Sequence, residues 1–190
     1  MSEHTPIGLG HEATTTTALT HSGNFHVDET LGYVVLHYAL APMGDLRARV
    51  LDGASDDCLK FVRSRDPAAI QAADIVFDVG GIYDPAKGRY DHHMKNKPLR
   101  DDGTPYSAAG LLWKDYGKAA VRNLVRTQVS DATIAAIWQS IDKSLVVPID
   151  QDDNGVAKMG KLSLADIVSA CSPPWDTAEL HGPEEARRRE

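Results

Sequence analysis

Between Ile75 and His93 a short apolar stretch, Ile75-Val76-Phe77, runs straight into an acid, Asp78. Two glycines, a turn and the tripeptide Asp91-His92-His93 follow. An apolar run this short, ended by Gly80-Gly81, predicts a buried strand rather than a helix. Asp78 then emerges at the strand's carboxyl end, where open α/β sheets place their chemistry. The turn Tyr83-Asp84-Pro85-Ala86-Lys87-Gly88 and a short strand at Arg89-Tyr90 bring Asp91, His92 and His93 back to that same end. This segment is predicted to build a site, and the remaining chain must supply a sheet beneath it.

The flanking pattern supplies one. Thr14 to Thr20 is rich in β-branched residues and predicts the first strand. After the loop His21 to Glu29, the residues Leu31, Val34, Val35 and Tyr38 recur at helical spacing. Arg47, Arg49 and Leu51 predict a second strand, and Cys58 to Val62 a short helix-like piece. Asp66-Pro67 then starts a helix, with Asp as cap and Pro in the first turn. Strand and helix alternating in this way predict an α/β fold, a mainly parallel β-sheet flanked by helices. Farther on, Ser107 caps a helix carrying Leu111, Leu112 and Tyr116. Ser130 or Asp131 starts another with Ile134, Ile137, Trp138 and Ile141, which Pro148 breaks or kinks. Ser163 to Ala170 predicts one more short helix. The expected organisation is a flexible leader over 1–13, an α/β catalytic domain over 14–172 and a charged tail over 173–190.

Composition limits the chemistry. The two cysteines, Cys58 and Cys171, are far apart with no Cys-x-x-Cys spacing, so a metal must be held by His and carboxylate. A net charge of -7 argues against a surface that coats nucleic acid generally. Arg63, Arg65, Arg89, Lys95, Lys97 and Arg100 nevertheless cluster in sequence near the predicted site. No apolar run approaches the roughly 20 residues of a membrane span, and no secretory leader pattern opens the chain, so a cytoplasmic compartment is the default.

Four patches offer metal donors: His21, His26 and Asp28; Asp78; Asp91 and His92; Asp150 and Asp153. Each has a plain alternative. Asp28 also suits a helix N-terminus, paired histidines are common in surface loops, and acids before Gly155 suit a solvated helix end. Adjacent histidines on an extended segment face opposite ways, so one of His92 and His93 can bind a metal while the other meets substrate. Asp150 and Asp153, three apart on a resumed helix, project from one face toward a common ligand. Together the patches supply only nitrogen and oxygen donors, the chemistry of Mn2+ or Mg2+, with Zn2+ or Co2+ where imidazole is abundant. The donors are too many for one ion and suit two sharing a carboxylate, about 3.5–4 Å apart, clamping a phosphoryl ester. Free N–H groups at Ser107 to Gly110 are a candidate phosphate site, with Lys95, Lys97 and Arg100 nearby.

These motifs resemble, in order and spacing, the DHH phosphoesterase superfamily and within it the Myg-type (melanocyte proliferating gene one) metal-dependent hydrolases. The resemblance rests on Thr20 to Glu29, Asp78 to Asp84, Asp91-His92-His93 and Asp150 to Gly155, and spans about Thr20 to Trp175. It implies a two-metal centre in which His21, His26 and Asp78 hold one ion. Asp28, Asp78, His92 and an acid from Asp150 to Asp153 would hold the other, Mn2+ being the expected metal. His93 would touch the phosphate and Asp91 would position His92. The implied reaction is phosphodiester hydrolysis, as a 3′-to-5′ exonuclease on RNA or short oligonucleotides. Alternatives are a pyrophosphatase-like hydrolase of small phosphoanhydrides and a catalytically silent metal-binding module. Met94 stands where that family usually has glutamine, Pro148 and Asp152 alter the last motif, and the family's second, covering domain is expected to be absent.

Overall fold

The protein's structure, a computed structural model, describes residues 15–40, 59–125, 127–156 and 164–171. The expected leader over 1–13, the strand around Arg47 to Leu51, Cys58 and the charged tail over 173–190 lie outside the described residues.

Three parallel strands form one side of the sheet: β1 (Thr16–Thr20), β2 (Leu59–Arg63) and β3 (Ile75–Phe77). A two-residue hairpin, β4 (Tyr83–Asp84) and β5 (Arg89–Tyr90), completes it, with spatial order β2-β1-β3-β5-β4. All neighbours pair in parallel except β4 with β5. The fold is therefore α/β with a mixed, mostly parallel sheet. The segment expected to be helix-like around Cys58 to Val62 is instead strand β2, aligned residue for residue with β1 from Thr16↔Leu59 to Thr20↔Arg63. Leu59 and Val62, three apart, imitate a helical face. The sheet is selected by the neighbour that a local reading does not see.

Side-chain alternation sorts the core. Ala18, Ile75 and Phe77 face one layer, shared with α1 (Val27–Leu40) and α3 (Ala108–Leu124). Leu19 and Val76 face the other, against Ala73, Ala69 and Ile70 at the short helix α2 (Pro67–Ala72). The helix predicted at Asp66-Pro67 is present, and Asp66 accepts from the backbone N–H of Ala68 at 3.3 Å. Gly32 lets α1 lie close on the sheet, because a Cβ there would sit 2.9 Å from the Phe77 ring.

Ser107 caps α3 and Ser130 caps α4 (Asp131–Ile141). Pro148 does not break the helix. A π-helical turn, Asp142–Val146, leads directly into α5 (Val147–Asp153), with Pro148 in its first turn. The last described helix, α6 (Leu164–Cys171), rests against α1. Among the described residues no helix is long and apolar enough to cross a membrane.

The strand order also places the crevice. The chain leaves β1 for β2 on one side and returns to β3 on the other, so the order reverses between β1 and β3. In open α/β sheets ligands bind at the carboxyl ends beside such a reversal.

Candidate metal centre

His21 follows β1 directly, His26, Asp28 and Glu29 sit at the start of α1, Asp78 follows β3, and Asp91-His92-His93 follow β5. Parallel pairing of these strands puts every one of these residues at the same sheet end. Asp78 has φ 56, the left-handed region that few residues other than Gly, Asn and Asp adopt. Its two oxygens face two imidazoles: Oδ2 lies 3.2 Å from His21 Nε2, and Oδ1 lies 3.1 Å from His92 Nε2.

Three overlapping groups have donor atoms within 4.8 Å of one another: His21, His26, Glu29 and Asp78; Asp78, His92 and His93; Asp28, His92 and Asp153. Asp78 belongs to the first two and His92 to the last two. The residues fit a cation. His21 Nδ1 lies 3.1 Å from the carbonyl oxygen of Ser22, which can only accept, so Nδ1 carries the proton. Nε2 then turns a lone pair toward carboxylate oxygens of both Asp78 and Glu29. A proton or a metal ion reconciles that arrangement. His92 Nε2 likewise meets Asp78 at 3.1 Å and Asp153 at 3.3 Å. Glu29 Oε1, Asp153 Oδ2 and His92 Nδ1 are buried without a hydrogen-bond partner, so the site holds more acceptors than its own donors satisfy.

The titration behaviour of the ligand-free protein follows. The Asp78 and Glu29 carboxylates raise the His21 imidazole to about 10. Burial alone would lower His92, but Asp78, Asp28 and Asp153 outweigh it and lift it to about 9. Burial would raise Asp78, yet His21 and His92 bring it down to about 2. Asp28 and Asp153 are pushed up, by burial first and then by neighbouring carboxylates.

Two expected residues are committed elsewhere. Asp150 joins none of the three groups. Its Oδ1 accepts from the Ser107 N–H at 3.0 Å and the Ser107 hydroxyl at 2.8 Å, and its Oδ2 from Arg100 Nε at 2.6 Å. One helical turn on, Asp153 reaches His92, so the two acids do not converge on a common ligand. The α3 N-terminus, expected to offer free N–H groups to a phosphate, is filled. Ser107 N–H donates to Asp150, Ala108 and Ala109 N–H to Asp28 at 3.2 and 2.7 Å, and Gly110 N–H to Ser107 Oγ at 3.2 Å. Arg100 is spent on Asp150 and on a paired contact with Asp142 at 2.9 and 3.0 Å. Lys97 donates to Asn154 Oδ1 at 2.7 Å, and Lys95 is exposed.

This packing makes a test. A Cβ on Gly110 would overlap Asp150 Oδ1, part of a carboxylate that three donors hold in place. Gly110→Ala is expected to lower stability by about 1–3 kcal/mol, measured by denaturant unfolding of the metal-free protein.

Asp91 positions more than His92. Its carboxylate accepts the backbone N–H groups of Gly81, His92 and His93, and Oδ1 also meets His93 Nδ1 at 2.7 Å. The imidazole it orients directly is that of His93, whose side chain is 60% exposed. Sequence reasoning missed Glu29, which is fully buried inside the first group. Its signal was its place as the third helical residue of α1, the position from which a capping-box Glu turns back toward the chain before the helix.

The family model MYG1_exonuc, described as Uncharacterised protein family (UPF0160), matches residues 17–189. The chain is 30% identical over 173 residues to the Homo sapiens protein named MYG1 exonuclease, a match covering 83% of the chain and 42% of that protein. It is 30% identical over 177 residues to MYG1 protein YER156C of Saccharomyces cerevisiae, covering 83% of the chain and 47% of the relative. With MYG1 protein C27H6.8 of Caenorhabditis elegans it shares 32% identity over 146 residues, 73% of the chain and 39% of the relative. The chain thus spans less than half the length of these relatives. No solved structure matches.

Proposed function

The chain belongs to the MYG1_exonuc family, and from that premise we propose that it is a metal-dependent phosphodiesterase, a 3′-to-5′ exonuclease acting on RNA or short oligonucleotides. The name of the human relative, MYG1 exonuclease, supports a nuclease-type hydrolase. The observation that carries metal dependence is Asp78, whose two carboxylate oxygens each face a different buried imidazole. One position would be held by His21, His26 and Asp78, the other by Asp28, Asp78, His92 and Asp153, with Asp78 common to both. Imidazole mixed with carboxylate favours Mn2+ over Mg2+. When bound, such cations activate water as Lewis acids and neutralise charge on the phosphoryl oxygens.

The chain's own residues do the remainder. Asp28 takes two N–H groups from α3, which fixes its carboxylate and ties that helix to the site. His93 has Nδ1 anchored on buried Asp91, so its exposed Nε2 is the group to meet substrate and pass a proton to the departing oxygen. Lys95 adds positive charge on the loop that follows.

With Mn2+ the protein is expected to release mononucleotides from a 3′-extended labelled RNA oligomer, and His93→Gln to slow turnover about 100-fold with metal content unchanged. Hydrolysis of pyrophosphate alone would move the reading to small phosphoanhydrides. A metal-loaded protein that turns over none of these substrates would remove the hydrolase.

A further inference from the structure

Glu29 has two oxygens with separate tasks. Oε2 accepts the backbone N–H of His26 at 3.0 Å, closing the helix start as a capping-box Glu does. That task needs one oxygen and is ordinarily done at the surface. Glu29 is instead 0% exposed, and its Oε1 is buried with no hydrogen-bond partner. Oε1 lies against His21 Nε2 and 3.5 Å from His26 Nδ1, inside the group completed by Asp78. An anionic oxygen withdrawn from water, whose nearest nitrogen, His21 Nε2, is also claimed by Asp78, carries a large desolvation cost. A proton on His21 serves one carboxylate contact at a time, whereas a divalent cation among these four side chains satisfies all of them.

We infer that Glu29 is a fourth donor to the cation position built by His21, His26 and Asp78, making it a two-imidazole, two-carboxylate site. This rests on the metal-dependent reading of the centre and adds a ligand that the resemblance leaves out. The neighbouring position, with His92 and the carboxylates of Asp28, Asp78 and Asp153, has one imidazole and three carboxylates. The two positions therefore differ in character, the first favouring borderline transition ions and the second tolerating harder ones.

The test compares the wild-type chain with Glu29→Gln, whose amide oxygen can still accept from the His26 N–H. Bound Mn2+ is counted by elemental analysis after desalting, affinities come from Mn2+ titration followed by electron paramagnetic resonance, and unfolding is followed in chelator. The wild type is expected to hold two ions. Glu29→Gln is expected to lose one or bind it at least tenfold more weakly, while unfolding in chelator at a temperature close to wild type. Two ions bound by Glu29→Gln at unchanged affinity would overturn the inference and reduce Glu29 to a cap. Should Glu29→Gln fail to fold, Glu29→Asp decides, since it keeps the charge but withdraws the carboxylate by one methylene. Weakening of one site supports the inference, and unchanged affinity at both overturns it. A wild-type protein that binds no Mn2+ would fail the metal reading itself, a result distinct from failure at Glu29 alone.

Discussion

Asp78→Asn is expected to abolish metal-dependent hydrolysis, with turnover down by roughly 100-fold or more, because substitutions one shell farther from a metal already cost 10–100-fold. Asp78 belongs to the His21/His26/Glu29 group and faces His92, which the Asp28/Asp153 group shares, so losing its charge is expected to weaken both proposed positions together. The change to Asn also replaces one of the two oxygens that His21 and His92 face with an NH2 donor. Asn is the informative replacement because it tolerates the left-handed backbone that Asp78 adopts at φ 56. Asp78→Ala adds a conformational cost of about 1–2 kcal/mol to the same chemical loss. Asn is therefore expected to separate activity from folding, and Ala to lower both. Elemental analysis and thermal unfolding of the two variants, set beside the oligonucleotide assay, check this. Full metal content and wild-type turnover in Asp78→Asn would rule out the shared-carboxylate centre.

What a sequence reveals here depends on whether the signal is local. Ile75 to Phe77 could be recognised as a strand because glycines end it and three apolar residues are too few for a buried helix. Asp78 and His92 followed, since residues after parallel strands share one end of the sheet. Ser107, Ser130 and Asp66-Pro67 announced their helices because capping is a short-range bond between a side chain and a backbone N–H two or three residues on. Strand β2 was harder. Its identity comes from pairing with β1, forty residues away, and Leu59 and Val62 mimic a helical face meanwhile. Asp150 and Asp153 were indistinguishable by spacing, since acids three apart lie on one helix face. They part because the α3 N-terminus lies beside one and His92 beside the other. Glu29 looked like an ordinary first-turn acid, and only burial reveals that one of its oxygens faces the imidazoles.

That filled α3 N-terminus has a further consequence. Asp28 and Asp150 both place negative charge where the helix dipole is positive and where N–H groups lack intrahelical partners. Asp28 thereby links the candidate metal centre to the most extensively buried helix of the core. A change at Asp28 is transmitted into packing, whereas His93 lies on the open side and is free of that burden. For this reason His93 variants report on chemistry more cleanly than Asp28 variants.

Metal affinity is expected to rise steeply with pH. In the metal-free protein the His21 imidazole, at about 10, and the His92 imidazole, at about 9, both hold protons near neutrality. A ligating nitrogen must give its proton up. Each ion is then expected to bind about tenfold more tightly per pH unit, and the pair about 100-fold, until the pH approaches those values. Calorimetric titration with Mn2+ in buffers of different ionisation enthalpy should report about two protons released per pair of ions. Stability without metal runs the opposite way. An imidazole raised above its ordinary 6.5 contributes fully below that pH, and the contribution fades as pH climbs toward about 10 for His21. Asp78, lowered from 3.8 to about 2, contributes fully above 3.8 and loses its effect as pH falls toward about 2. Asp28 and Asp153, both raised, keep protons that the unfolded chain gives up above 3.8, so they subtract stability progressively as pH rises from 3.8. His21 and Asp78 favour the metal-free fold between pH 3.8 and 6.5, and the raised Asp28 and Asp153 draw its maximum toward the acid end of that window. Metal should shift that maximum upward, since the cations replace the protons as the charges that hold these carboxylates together. Unfolding temperatures measured across pH with chelator and with Mn2+ would show two displaced maxima; coincident curves, or Mn2+ affinity that ignores pH, would mean the imidazoles do not meet the ions.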